Sequence, residues 1–174
     1  MHTERVACVL ALCAALLGGC AGPSLSERAP ARDAVPDRVS LDAVPFFAQD
    51  DFQCGPAALA MALVWSGVAT DPEALTPEVY TPSRRGSLQS ALVAAARRHD
   101  RVAYPVAGPD ALLAELAAGH PVIVLQNLGL PWLAQWHYAV AIGYDLPGGE
   151  ITLHSGTTRD MRVAEHVFLN TWAR

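Results

Sequence analysis

A basic surplus is the first thing this 174-residue sequence lacks: 12 Lys and Arg against 17 Asp and Glu leave a net charge of −5. That excludes a nucleic-acid binder working through a basic surface. A membrane span is missing too, because the leading uncharged run, Val6 to Gly19, falls short of the roughly 20 residues a spanning helix needs. The phosphate-loop spacing Gly-x-x-x-x-Gly-Lys does not occur, so the chain itself should bind no ATP. Gly-x-Ser-x-Gly is absent, and His and Cys do not recur at zinc-ligand spacing, so neither metal nor cofactor is expected. Charged residues make up 17% of the chain, below the roughly 25% of soluble domains, and hydrophobic residues 52%. Disorder as the main state is excluded by that composition. No internal repeat is visible, and the length suits one compact domain.

Part of the apolar excess is an N-terminal address. Val6 to Gly19 has the length of a signal-peptide apolar region, behind a weakly basic front end of Arg5 and the terminal amine. It ends in Leu17-Gly18-Gly19-Cys20, which resembles a bacterial lipobox. The resemblance implies cleavage before Cys20, a lipid on that cysteine and export to the cell envelope. An ordinary secretory signal or an uncleaved anchor is the plainer alternative. Ala21, rather than Asp, after the cysteine points to the periplasmic face of the outer membrane. Residues 1–19 thus read as a signal peptide, 20–40 as a lipidated cysteine and flexible tether, and 41–174 as the folded domain. Cys8 and Cys13 leave with the signal and Cys20 takes the lipid, so Cys54 remains as one free thiol.

The body reads as α+β, with helices first and an antiparallel sheet second. Helices are predicted over Pro56–Trp65, Leu88–Arg98 and Asp110–Ala118, each closed by a glycine or by basic residues at its negative end. Strands are predicted over His120–Gln126, Trp136–Asp145, Glu150–His154 and Arg159–Val163, with a last helix or irregular cover over Ala164–Trp172. In the long strand Trp136, Tyr138, Val140, Ile142 and Tyr144 alternate with His137, Ala139, Ala141, Gly143 and Asp145. The second, small face predicts close packing against the Ala-rich run Ala57–Ala62, which would bring His137 to the head of that helix.

Chemistry concentrates at Cys54-Gly55-Pro56, where a helix begins. A helix N-terminus favours thiolate, the nucleophilic form, and Gly55 would keep the approach to sulfur open. On position alone Cys54 reads equally as a nucleophile or as an inert buried thiol. Nucleophilic use needs an imidazole. Among six histidines, His137 is the best placed, at the start of the long strand; His99 reads as a helix end, and His120 begins a strand after Gly119 or equally is a turn residue. The apolar loop Leu128–Leu133 reads equally as a packed loop or as a wall of a cleft.

Two segments resemble a known family. Val44-Pro45-Phe46-Phe47-Ala48-Gln49, followed by Phe52-Gln53-Cys54-Gly55-Pro56-Ala57-Ala58, is similar to the start of the bacteriocin-processing cysteine peptidases. Those are papain-like enzymes that cleave leader peptides after a double glycine. Gly119-His120-Pro121-Val122-Ile123-Val124 and Trp136-His137-Tyr138-Ala139-Val140-Ala141-Ile142-Gly143-Tyr144-Asp145 are similar to that family's histidine region. The resemblance spans Val44 to Gly156 and is nearest to the stand-alone branch exported by proteobacteria. It implies a papain-like fold, a peptide or protein substrate, Cys54 as nucleophile and His137 as base. It also implies Gln49 as oxyanion donor, beside the backbone N–H of Cys54. Gln53 is a nearby competitor for that role.

The third catalytic position departs from the family. Where an Asp usually orients the histidine, this sequence has Ser155, which carries no charge to stabilise an imidazolium. Asp145 is eight residues from His137 on one strand, about 27 Å at 3.4 Å per residue, and cannot substitute. Asn127 ends the preceding strand and is the better substitute, with Thr157 and Thr158 as further choices. The leading expectation is a lipid-anchored cysteine peptidase. A catalytically silent peptide- or protein-binding module, or a cysteine acyltransferase, is the alternative.

Overall fold

The computed structural model describes residues 35–49 and 53–172. The signal-like segment 1–19, Cys20 and the tether as far as residue 34 lie outside the described residues. Among the described residues no helix is long and apolar enough to cross a membrane.

Helix α1, Cys54–Trp65, is apolar on every side, with Ala57, Ala58, Leu59, Ala60, Met61 and Leu63 all buried. A helix without a polar face must be enclosed. Helices α2, Pro72–Val79, and α3, Gln89–Arg98, enclose α1 together with the sheet. No helix is expected from the sequence over the α2 segment. Its two prolines hid it: Pro72 suits a first turn, but Pro77 inside the helix reads as a breaker. Asp71 caps α2 by accepting from the Ala74 N–H at 2.7 Å. A small hairpin follows, β2 Tyr80–Thr81 against β3 Gly86–Ser87, around a turn in which Arg85 has φ 48°. Helix α4 is Gly108–Ala117.

The main sheet is antiparallel and centred on β5, Trp136–Asp145. Strand β4, Val122–Asn127, pairs with the first half of β5. Strands β6, Glu150–Ser155, and β7, Thr158–Ala164, follow on the other side, and helix α5, Glu165–Thr171, closes the described chain. Strand β1, Arg38–Ser40, pairs with Asp145, Tyr144 and Gly143. The folded domain therefore begins before Leu41, and the end of the expected tether is part of the sheet. A three-residue strand is defined by its partner, which the local sequence does not reveal. Arg38 also forms an ion pair with Asp145 at 2.8 Å.

The sheet has a core on each face. Tyr138, Val140 and Ile142 pack with α1, α2 and α3; Ala139 and Ala141 pack with α4 and α5. The large face, not the small one, thus meets the Ala-rich helix, and the expected packing is corrected. Small side chains are needed on the helix instead, where Ala57, Ala58 and Ala60 let α1 approach those larger residues. A register shift between Ala141 and Gly143 also changes the alternation, and Tyr144 joins the second core rather than the first. Gly143 has a separate reason: a Cβ there would collide with the Val39 carbonyl oxygen of β1. Gly143→Ala is expected to loosen β1 and lower stability by about 1–3 kcal/mol, read as a lower denaturant midpoint.

Candidate active site

Cys54 is the first residue of α1 and follows Gln53, whose side chain makes no capping bond. It is half-buried and is the free cysteine of the described residues. The positive end of the α1 dipole thus meets the sulfur without a competing side-chain acceptor. The backbone around it is tightly fitted. A Cβ at Gly55 would collide with the Ser87 side chain. Gly55 therefore lets the β2–β3 hairpin close on the head of α1, which is a packing role beyond the open approach expected of it. Tyr138 ties the same hairpin to the sheet by donating its hydroxyl to the Ser87 carbonyl at 3.2 Å. Burial, with Cys54 nearby, pushes that phenol up to about 12.

His137 stands near the start of β5. Pairing of β5 with β6 begins only at Val140 and His154, so the opening residues of β5 lack a β6 neighbour, and His137 lines the cleft there. Its Nε2 lies 3.0 Å from Ser155 Oγ. With Nε2–H donating to that hydroxyl, the Nδ1 lone pair is left as the base. Burial holds the imidazole below its ordinary value, so the neutral form is favoured.

Gln49 is buried and is held by two hydrogen bonds to one residue. Its backbone N–H donates to the Gly156 carbonyl at 3.0 Å, and its side-chain Oε1 accepts from the Gly156 N–H at 3.2 Å. Its Nε2, by contrast, has no partner among the described residues. A buried donor left unmade costs about 1–3 kcal/mol. Gly156 follows Ser155 directly and has φ +57°, a left-handed conformation that favours glycine. Two successive residues, Ser155 and Gly156, thus hold the histidine and the glutamine.

Cys54, His137 and Gln49 line one cleft of about 830 Å³. Its walls include Ser87 from the hairpin, Leu128 from the β4–β5 loop and Trp136 from the start of β5. A second cavity of about 620 Å³ lies between α1, α3 and β4. It contains no thiol, and its histidine, His120, is held by Glu115 at 2.8 Å.

The remaining sequence candidates lie elsewhere. Asn127 Oδ1 accepts from the Gly129 N–H at 3.0 Å and the Gln135 N–H at 2.9 Å. It closes the neck of the β4–β5 loop, and Ser155 is the residue at the His137 ring. Thr157 is exposed in the turn after Gly156, Thr158 is exposed at the start of β7, and Gln53 is the N-cap of α1. His99 contacts Glu78 at 3.0 Å and His166 is exposed. Cys20 is outside the described residues.

His154 carries no local sequence signal of its role. It is fully buried, with Nε2–H donating to the Val44 carbonyl at 3.2 Å and Nδ1 accepting from the Asp160 N–H at 3.3 Å. Those two bonds fix one neutral tautomer, and burial pushes its pKa down. His154 therefore ties the segment leading to Gln49 onto β6, beside Ser155. The roles of Ser87 and Tyr138 likewise arise only from tertiary contact. Among the described residues no group of His, Cys, Asp and Glu could hold a metal.

The mixed helix and antiparallel sheet fold matches that of C39-like peptidases. Residues 41–174 match the Peptidase_C39 like family, and the chain belongs to it. A crystal structure of a C39-like peptidase from Bacillus anthracis superposes with a TM-score of 0.62 at 19% identity, covering 79% of this chain and 98% of that one. A double glycine motif protease from an AMS/PCAT transporter, solved in complex with the leader peptide, gives 0.59 at 22% identity, covering 75% and 86%. No curated protein matches.

Proposed function

We propose that this protein is an exported, lipid-anchored cysteine peptidase that hydrolyses peptide bonds at Cys54. The observation that carries the reading is the unpartnered Nε2–H of Gln49 in the cleft that Cys54 and His137 share. A buried donor beside a nucleophile is what a developing oxyanion requires. Cys54 Sγ attacks the substrate carbonyl carbon as His137 Nδ1 takes the thiol proton. The oxyanion accepts from Gln49 Nε2–H and the backbone N–H of Cys54. Collapse breaks the C–N bond, and His137 returns its proton to the leaving amine. Water then adds to the acyl-enzyme, with His137 as base, and releases the acid. A peptide substrate is supported by the leader peptide bound to the transporter protease. Lipid attachment at Cys20, on the periplasmic face of the outer membrane, rests on the Leu17-Gly18-Gly19-Cys20 pattern.

The test is covalent labelling by a peptide carrying a thiol-reactive electrophile at neutral pH. Labelling mapped to Cys54 is expected; labelling elsewhere, or none, would remove the assignment. The second reading, a silent peptide-binding module, is favoured by the uncharged Ser155 and the buried, neutral His137. The two readings separate on Ser155→Asp. A carboxylate there stabilises imidazolium, so the acidic limb of the rate profile should move from below 6.5 to higher pH. For a peptidase, kcat should rise about 10–100-fold at neutral pH, a fraction of the roughly 10⁴ that a triad carboxylate supplies elsewhere. For a silent module, cleavage stays at background.

A further inference from the structure

The loop between β4 and β5 has a tip that the cleft does not use. Leu128, Ala134, Gln135 and Trp136 line the cleft. Leu130, Trp132 and Leu133 do not, and they are 52%, 80% and 72% exposed. These three side chains are held outward by a closed loop. The Leu128 N–H donates to the Gln135 carbonyl at 2.9 Å, and the Leu133 N–H to the Leu130 carbonyl at 3.0 Å. Asn127 Oδ1 clamps both ends, and a Cβ at Gly129 would collide with the Leu133 carbonyl oxygen. The backbone of the tip is therefore fixed by its own bonds, with these apolar side chains exposed. No Asp, Glu, Lys or Arg occurs from Pro121 to Tyr144. Scattered apolar residues are ordinary on a surface, but a fixed, uncharged cluster with Trp at its apex calls for a partner.

We infer that this tip, Leu130, Trp132 and Leu133, inserts into the interfacial region of the bilayer that carries the lipid anchor, and so turns the cleft toward the membrane. The inference rests on the lipid-anchored reading above. Trp and Leu are the side chains that settle at the headgroup boundary, Trp with its ring N–H toward water. The chain outside the structure supports this occupant. From Cys20 to Val35 the backbone reaches at most about 54 Å when fully extended. Strand β1 joins β5 at Asp145, about 27 Å from His137 at 3.4 Å per residue. The anchored chain is thus long enough for the opposite end of β5, with its loop, to rest on the membrane. A protein held that close to a bilayer meets its surface continuously, which favours lipid over a soluble partner. The substrate class follows: peptides lying at, or emerging from, the membrane surface.

The experiment uses the full chain in vesicles of phosphatidylethanolamine and phosphatidylglycerol with brominated acyl chains. Bromine quenches indole emission only near the hydrocarbon, and subtracting Trp132→Phe isolates the signal of the exposed Trp132. Most of that signal is expected to be lost in brominated vesicles, with a blue shift in unbrominated ones. An unquenched Trp132 that stays accessible to iodide on the vesicles overturns the inference. So does shielding in solution with a doubled mass, which would assign the tip to a second copy of this chain. Lipidation is read separately, by palmitate incorporation lost in Cys20→Ala. Quenching without palmitate keeps the insertion and removes the anchor; palmitate without quenching keeps the anchor and removes the insertion; the loss of both removes both.

Discussion

Cys54→Ala is expected to lower kcat by about 10⁴–10⁶, the scale on which removal of a covalent nucleophile acts in other hydrolases. Alanine keeps the helix start and the packing of Gly55 against Ser87, so the circular dichroism spectrum and thermal midpoint should change little. Peptide affinity, read by titration with an uncleaved substrate, should also survive, because the cleft walls are untouched. Loss of chemistry with retained binding is the signature of a nucleophile. A Cys54→Ala variant that cleaves at the parent rate would assign the chemistry to another residue and discard the thiol mechanism.

The second large effect is at Gln49. Gln49→Ala removes the unpartnered Nε2–H from the cleft and also the Oε1 that accepts from Gly156. Loss of one oxyanion donor typically lowers kcat by about 10²–10³, or about 2.7–4 kcal/mol. KM should remain near its parent value, since the donor is engaged fully only when the carbonyl oxygen carries charge. Gln49→Glu is the sharper probe. It preserves an acceptor for the Gly156 N–H but replaces the donor by a negative charge facing the developing oxyanion. Single-turnover kinetics should show the chemical step slowed at least as much as in Gln49→Ala. A Glu variant with normal turnover would show that Gln49 holds the Gly156 turn and nothing more.

Legibility in the sequence followed the range of the forces involved. Strand β5 could be read to its ends, because alternation, length and a Pro-Gly-Gly turn are local signals. The faces of β5 could not be assigned correctly, because which face meets the helices is set by tertiary packing; the register shift, set by pairing with β6, moves only Tyr144 to the second core. Helix α2 was hidden by Pro77, a case of tertiary packing through Leu75 and Val79 overriding propensity. In the site, Cys54, Gln49 and His137 came from ordered resemblance to a family, and they line one cleft. The residue at the imidazole was narrower to call. Ser155 and Asn127 both stand at strand ends, and only the closed loop, which commits Asn127 to Gly129 and Gln135, separates them. Ser87 and Tyr138 carried no local signal, because a two-residue strand and an alternating aromatic look alike in any sheet.

Strand β1 has a mechanical meaning. It pairs antiparallel with the last three residues of β5, at the end remote from His137. Tension arriving through the N-terminal chain would load Val35 on the second core, the Leu146 N–H bond to the Asp37 carbonyl at 2.9 Å, and then those three residue pairs with the Arg38–Asp145 ion pair. Pulled along the strand, the pairs share the load in shear instead of parting one at a time. The stress then enters the central strand at the far end from the cleft, where α4, α5 and β6 are packed around it. Force entering at β1 would therefore be damped before it reached the imidazole.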